Sequence, residues 1–124
     1  MRKKTKTILL IIATSLVLII LAGGLGIFLW IDRTVKKNMA IAQARYPGTA
    51  EQALLALLQD ERNSFRERTH LAIWTLGRLK SQLALPVLQQ FYKDDPEGMT
   101  CYGRHDNMLC QYELYKAIKA IIGQ

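Results

Sequence analysis

The sequence lacks the set of residues from which a catalytic site is usually built. It contains two histidines and two cysteines. No acid or second histidine lies at a spacing that would orient His70, and His105 with Asp106 is most simply a solvated loop tip. The residues that a Ser/His/Asp or Cys/His relay needs are missing as a set. We therefore expect no enzymatic activity and no cofactor.

The sequence also lacks a pattern for binding nucleic acid, although its formal net charge is +7 and its pI is about 9.7. Four of its cationic side chains lie in the tail 1–6, so the rest of the chain is only weakly basic. No stripe of Lys and Arg is interleaved with aromatic residues in the way that tracking phosphates would need. The high pI therefore indicates membrane topology, not a nucleic-acid partner.

Charged residues are absent from the mostly aliphatic run 7–31, which lies between Lys6 and Asp32. At ~1.5 Å of rise per residue this run would reach about 37 Å as a helix, enough to cross a ~30 Å hydrocarbon core with some tilt. The alternative is a cleaved secretory signal with small residues at 22–24. Apolar regions of signal peptides last about 7–15 residues, so the longer run favours a retained transmembrane helix in the lipid bilayer.

The charges that flank this span give a weak prediction of its orientation. The tail 1–6 has four Lys and Arg residues and no acid, whereas segment 32–37 has three and one acid. Because Lys and Arg concentrate on the cytoplasmic side, we expect a single-pass protein with a cytoplasmic N-terminus and an extracytoplasmic domain. Ala22 and Gly26 form a small-xxx-small pair through which two membrane helices can pack closely. That pattern leaves self-association open.

The rest of the chain lacks the alternation of a strand and shows helical spacing of its apolar residues. Segment 32–48 is predicted to continue the membrane helix as a stalk to about Arg45, where Pro47-Gly48 ends it. Residues 49–124 then form a small all-α domain of four helices. The core faces predicted for these helices are Ala50, Ala53, Leu54, Leu57 and Leu58; Phe65, Thr69, Ala72, Ile73 and Leu76; Ala84, Val87, Leu88 and Phe91; and Leu114, Ile118, Ile121 and Ile122.

Local signals place the ends of these four helices. Thr49-Ala50-Glu51-Gln52 and Ser64-Phe65-Arg66-Glu67 have the pattern of capping boxes, which satisfy backbone N–H groups at a helix start. Ser81 is placed to cap the third helix, but Pro86 indicates that this helix effectively begins at Leu85. The last helix is predicted from about Met108 to Ile122.

The junction between the middle helices carries a resemblance to a known family. Residues 72–79 read Ala-Ile-Trp-Thr-Leu-Gly-Arg-Leu, and residues 84–88 read Ala-Leu-Pro-Val-Leu. This pattern resembles the HEAT-like helical repeats, in particular the short repeats also found in phycobilisome lyases. The resemblance implies two antiparallel helical hairpins that serve as a protein-binding scaffold, and it carries no lyase activity over. Since solenoids generally need at least three repeats, the stalk could cover the first exposed end and a disulfide could clamp the last; if neither suffices, a partner or a second copy must cover them.

The two cysteines enclose a polar segment of the second hairpin. A pair of cysteines in a short loop of an extracytoplasmic domain favours a disulfide between Cys101 and Cys110. Two free thiols and a metal cluster with His105 and Asp106 are the alternatives. The spacing differs from the paired ligands of structural zinc sites, so the metal is the weakest of the three.

Trp74 is the strongest candidate for a binding residue. On a regular helix it points away from the predicted core face, with Leu71 and Arg78 near it. A tryptophan and an arginine together are enriched in interface hot spots, although the same face could pack on the stalk or on a neighbouring helix. We therefore expect Leu71, Trp74 and Arg78 to bind another, membrane-associated protein, and the chain to act as an adaptor, assembly factor or accessory subunit. A redox- or metal-responsive module acting through Cys101 and Cys110 is the alternative.

Overall fold

The computed structural model describes residues 2–93 and 109–123, and within these residues the chain is helical and has no strand. This confirms the all-α prediction for the described part. The chain forms two compact units, residues 1–34 and 35–124. The helices are α1 (Arg2–Arg45), α2 (Ala50–Gln59), a π-helical segment (Glu67–Ile73) followed directly by α3 (Trp74–Arg78), α4 (Leu85–Phe91) and α5 (Gln111–Ile122).

The first unit is the apolar part of α1. Every residue from Arg2 to Trp30 is exposed, and the helix is long and apolar enough to cross a membrane. Its most apolar stretch has no residue buried inside the protein. The predicted long apolar helix is therefore confirmed.

The end of α1 belongs to the second unit. Ala42 is fully buried, and Met39 and Tyr46 pack against the hydrophobic core. Asn38 Nδ2 donates a hydrogen bond of 2.9 Å to Thr75 Oγ1. The helix ends at Arg45, as predicted, and the chain turns at Gly48 with a φ of +108° that favours glycine. From Val35 onward, the predicted stalk is therefore an integral part of the folded unit.

The first capping box is formed as predicted at the start of α2. Gln52 N–H donates to the Thr49 side chain, and Thr49 N–H donates to Gln52 Oε1. The inward face of the helix is fully buried at Ala53, Leu54, Leu57 and Leu58. Burying a leucine side chain contributes about 1.5–3 kcal/mol, so this face is a major part of the core.

A polar cluster joins the end of α2 to the end of α1. Tyr46 donates its hydroxyl proton to Asp60 Oδ2 at 2.7 Å, and Asn63 Nδ2 donates to the Tyr46 oxygen and to the Leu57 carbonyl. Arg62 forms a forked pair with the Asp60 carboxylate. The Arg62 guanidinium, together with the Tyr46 hydroxyl, holds the pKa of Asp60 well below its usual range. The cluster fastens the turn after α2 to α1.

The second helix begins with the other predicted capping box, but its geometry is not the regular α-helix that we expected. Ser64 N–H donates to Glu67 Oε2, and Glu67 N–H donates to Ser64 Oγ. From Glu67 to Ile73 the helix is π-helical, and Trp74 N–H donates to the carbonyl of Thr69, five residues back. Because a π-helical turn holds more residues than the 3.6 of an α-helix, different residues face the core than a regular α-helix would place there.

Burial along this helix therefore departs from the prediction. Thr69, Ala72, Ile73 and Leu76 are fully buried as expected, whereas Phe65 is only half-buried. Thr75 and Gly77 are buried in addition, because α3 is covered on two sides. Asn38 of α1 contacts Thr75, and Ala117 of α5 lies against Gly77.

Residues 79–84 form a turn before α4. Ser81 is buried, and its Oγ accepts a hydrogen bond from Ala84 N–H and donates one to Glu51 Oε2. The serine therefore caps this turn, and α4 begins at Leu85 with Pro86 in its first turn, as the proline indicated. Within α4 the described core residue is Leu88.

The last helix is shorter than predicted, since it begins at Gln111. Leu114 and Ile121 are fully buried as expected, but Ile122 is 59% exposed. The reason is helical geometry: Ile121 lies seven residues after Leu114 on the same face, and Ile122 lies one step round the helix from it.

Gln111 was not predicted to be important, yet it is buried and fastens the start of α5. Its Nε2 donates to the carbonyls of Phe91 and Leu109, at 3.2 and 3.3 Å, and its Oε1 accepts the N–H of Lys93. These bonds hold the end of α4 beside the start of α5. Between the helices, α2 packs on the π segment, while α5 packs on α3, α4 and the π segment.

Candidate partner-docking groove

A groove between α3 and α5 contains Trp74. Its volume is about 280 Å³. The residues that line it are Trp74, Gly77, Arg78, Lys80, Glu113, Lys116, Ala117 and Ala120. Small-molecule sites usually have volumes of about 300–1,000 Å³, so this groove is at or below the lower end of that range.

Small residues bring the two helices close together at the groove. A Cβ atom placed on Gly77 would lie 2.9 Å from both the Cα and the Cβ of Ala117. Such a distance is too short for real carbon atoms, so only glycine permits this approach of the two backbones. Ala117 and Ala120, spaced three residues apart, lie on the same side of α5. The groove therefore has a shallow apolar floor.

Trp74 and Arg78 form the aromatic side of the groove. Trp74 is half-buried and Arg78 is exposed. The guanidinium carbon of Arg78 lies 5.4 Å from the centroid of the Trp74 ring, which is within the range of a cation–π contact. One turn of helix separates the two residues, so α3 itself sets this geometry.

The lining is predominantly basic. Arg78, Lys80 and Lys116 contribute three cations, and Glu113 contributes one carboxylate. Lys116 Nζ lies 2.7 Å from Glu113 Oε1 and 4.6 Å from the centroid of the Tyr112 ring. Glu113 therefore offsets the charge of Lys116, and Arg78 remains as an exposed cation beside Trp74.

Only part of the predicted binding stripe lies in this groove. The structure brings Trp74 and Arg78 together, whereas Leu71 is half-buried, packs against the core and is not among the lining residues. The groove residues that α5 contributes were not predicted, because nothing in the local sequence indicates that α5 packs beside α3. The only signal for it is the combination of Gly77 with the small pair Ala117 and Ala120.

The predicted cysteine site is only partly visible. Cys101, His105 and Asp106 lie outside the described residues, and Cys110 is buried directly before α5. The disulfide between Cys101 and Cys110 therefore stays a prediction. Among residues 2–93 and 109–123, no group of three or more His, Cys, Asp or Glu side chains is placed to hold a metal ion.

Two further predicted features lie on exposed helical surface. Ala22 and Gly26 are exposed on α1, and a Cβ atom at Gly26 would have no neighbour within 4 Å. Their role in packing against a second membrane helix stays a prediction. His70 is exposed on the π segment, in agreement with its interpretation as a surface residue.

Neither a protein-family model, nor a curated protein, nor a solved structure matches this chain. The resemblance to HEAT-like repeats therefore rests on the residues quoted for it. The function is inferred from the geometry of the groove.

Proposed function

We propose that this chain is a single-pass membrane protein whose helical domain docks another protein, as an adaptor, assembly factor or accessory subunit of a membrane complex. The observation that carries the proposal is the groove between α3 and α5, where the guanidinium of Arg78 lies 5.4 Å from the Trp74 ring centroid and both side chains reach the surface. Tryptophan and arginine in such pockets commonly dominate binding energy at interfaces.

The exposed apolar surface of α1 supports membrane anchoring. Its large side chains between Ile8 and Trp30 are about half to two-thirds exposed, for example Ile19 at 70%. Soluble proteins rarely expose contiguous apolar patches above a few hundred Å², so this helix needs lipid around it. Cleavage after residues 22–24 would leave Leu25, Phe28 and Trp30 exposed on the remaining protein, which favours an anchor over a removed signal. The flanking charges favour a cytoplasmic N-terminus.

Two HEAT-like hairpins are the arrangement that we propose for the domain. The π segment packs on α2 and α4 packs on α5, as two successive hairpins would. Arg68 joins the pairs, since its Nε donates to the Leu58 carbonyl at 2.7 Å and its guanidinium carbon lies 5.9 Å from the Phe91 ring centroid. The end of α1 covers part of the first pair, in keeping with the expectation that such a short array needs a cover.

The size and lining of the groove favour a protein partner over a substrate. A volume near 280 Å³ accommodates an anchoring side chain more readily than a whole small molecule. The described lining offers no histidine, cysteine or hydroxyl nucleophile. Such a lining can hold a partner side chain by apolar contact and by hydrogen bonds from Arg78.

Crosslinking in native membranes tests this proposal. The full chain, expressed from its own host, is crosslinked and purified, and the proteins covalently attached to it are identified by mass spectrometry. Trp74→Ala should remove at least one specific crosslinked protein. Leu83→Ala is the control, because Leu83 is a large apolar residue that is 52% exposed and does not line the groove.

Two outcomes would contradict docking through the groove. If the Trp74→Ala and wild-type chains yield the same crosslinked proteins in equal amounts, Trp74 has no part in binding. If the Leu83→Ala chain loses the same proteins to the same extent, the contact is not specific to the groove.

A further inference from the structure

We infer that the groove recognises an acidic segment of its protein partner, in which an apolar side chain stands next to a carboxylate. This inference rests on the proposed function, since it names the chemistry of the partner that the same groove would bind. It follows from the distribution of charge and apolar surface around Trp74.

The floor of the groove is apolar. Gly77, Ala117 and Ala120 carry at most a methyl group, and the Trp74 ring is half-buried beside them. An apolar side chain of a partner can therefore lie against the ring and the small residues. Its burial removes the remaining exposed part of Trp74 from water, which is the main source of affinity at such sites.

The rim of the groove carries the exposed cation Arg78. Glu113, the carboxylate of the described lining, is paired with Lys116 at 2.7 Å. The guanidinium carbon of Arg78 lies 5.4 Å from the Trp74 ring centroid, and because this side chain is exposed, its N–H groups can donate to an acceptor that lies beside the ring. A carboxylate accepts two parallel hydrogen bonds from this fork, and such bonds are stronger than those between neutral groups.

The shape of the site favours a peptide over a lipid surface. The groove is a concave site of about 280 Å³ between two helices, and a planar bilayer surface does not enter such a concavity. Lipid-binding surfaces typically present clusters of four to eight Lys and Arg residues, whereas the described lining has Arg78, Lys80 and Lys116. An acidic chain segment with an apolar side chain matches both the exposed charge of Arg78 and the apolar floor.

Selection of peptides on the full chain tests the inference. The protein is embedded in phosphatidylcholine nanodiscs and used to select from a phage-displayed library of random short peptides, in parallel with Trp74→Ala and Arg78→Glu variants. Peptides that depend on Trp74 should be enriched in Asp or Glu next to a large apolar residue. The Arg78→Glu variant should lose these peptides and enrich Lys or Arg at the same positions.

Fluorescence anisotropy with one synthetic peptide from this selection measures the size of the effect. Arg78→Glu should weaken binding at least about tenfold, as expected for a hydrogen-bonded charge pair at an interface. Arg78→Lys should weaken it less, because the charge remains and only the fork is lost. Arg66→Glu is the matched control: Arg66 is exposed and does not line the groove, so the same change of net charge should have little effect at moderate salt.

Three results would overturn the inference. If the Trp74-dependent peptides are neutral or basic, the partner is not acidic, although docking through the groove survives. If no peptide depends on Trp74, the inference and the proposed groove fail together. If vesicles containing phosphatidylserine bind the nanodiscs and Arg78→Glu abolishes this binding, the groove recognises a lipid headgroup instead.

Discussion

Replacing Gly77 by alanine should destabilise the helical domain, although alanine is the better helix former. In an exposed helix the change would stabilise by about 1 kcal/mol. At Gly77, however, the new Cβ would lie 2.9 Å from the Cα and Cβ of Ala117. Because a backbone carbon cannot rotate away as a flexible side chain can, α3 and α5 must move apart.

The magnitude follows from the balance of these two effects. Overpacking a well-packed site costs about 1–3 kcal/mol, and the close approach to the backbone of α5 places Gly77 in the upper part of that range. After subtraction of the helix-propensity gain, we expect a net loss of about 1–2 kcal/mol in the free energy of unfolding. For a unit of this size the melting temperature should fall by roughly 4–16 °C.

The assay is thermal unfolding of the full chain in detergent, monitored by near-ultraviolet circular dichroism, to which the half-buried aromatic residues of the domain contribute. Gly26→Ala is the matched control, since a Cβ atom at Gly26 meets nothing within 4 Å. In an Ala117→Gly background, Gly77→Ala should cost less than it does in the wild type, because the clash with the Ala117 methyl group is absent and only the clash with the backbone of α5 remains. If Gly77→Ala is as stable as the wild type or more stable, the close approach of α3 and α5 is wrong.

Three further changes test other parts of the structure. Thr69→Val should stabilise the domain by about 1 kcal/mol, because the buried Thr69 hydroxyl has no hydrogen-bond partner among the described residues. Thr75→Val removes the acceptor of a hydrogen bond from α1 and should instead destabilise the domain. Urea denaturation compares the two variants, and a loss of stability in Thr69→Val would contradict the first expectation. The pKa of Asp60 is lowered in the folded state, chiefly by Arg62. The ionised Asp60 carboxylate therefore stabilises the fold above the unfolded pKa of about 4, and this stabilisation is lost as the pH falls towards the folded pKa. Asp60→Asn should therefore flatten the loss of stability in titrations below about pH 4, and an unchanged acid slope would contradict the role of this pair. Trp74→Ala should cost less than the ~3–5 kcal/mol of a fully buried tryptophan, and a loss of that size in thermal melts would make Trp74 a core residue and remove its docking role.

Features with a local physical cause were predictable from the sequence. The apolar run 7–31 has no charge to interrupt a long helix, and α1 continues to Arg45 as expected. Both capping boxes formed because their hydrogen bonds join residues three apart in the chain. The start of α4 at Leu85 followed from Pro86, whose ring fixes its own backbone angle.

Features that depend on contacts between distant residues were predicted less well. The inward face of the second helix was derived from a 3.6-residue period, but the wider π turns and the cover from α1 and α5 buried Thr75 and Gly77 as well. Leu71 was predicted to share a binding surface with Trp74; it is half-buried against the core and outside the described lining of the groove, and its binding role stays a prediction. The buried role of Gln111 was also missed, since its partners lie on both sides of a segment between α4 and α5.

The sequence by itself determined the helical class of the described chain, its long apolar first helix and the two residues, Trp74 and Arg78, that lie one turn apart on α3. These follow from hydrophobic periodicity, helix caps and side-chain spacing, all of which act over a few residues. Only the tertiary structure decided that α5 approaches α3 at Gly77 and adds Lys116 and Ala117 to the same groove. That approach joins residues about forty positions apart, and its geometry depends on which two helices the whole core brings together.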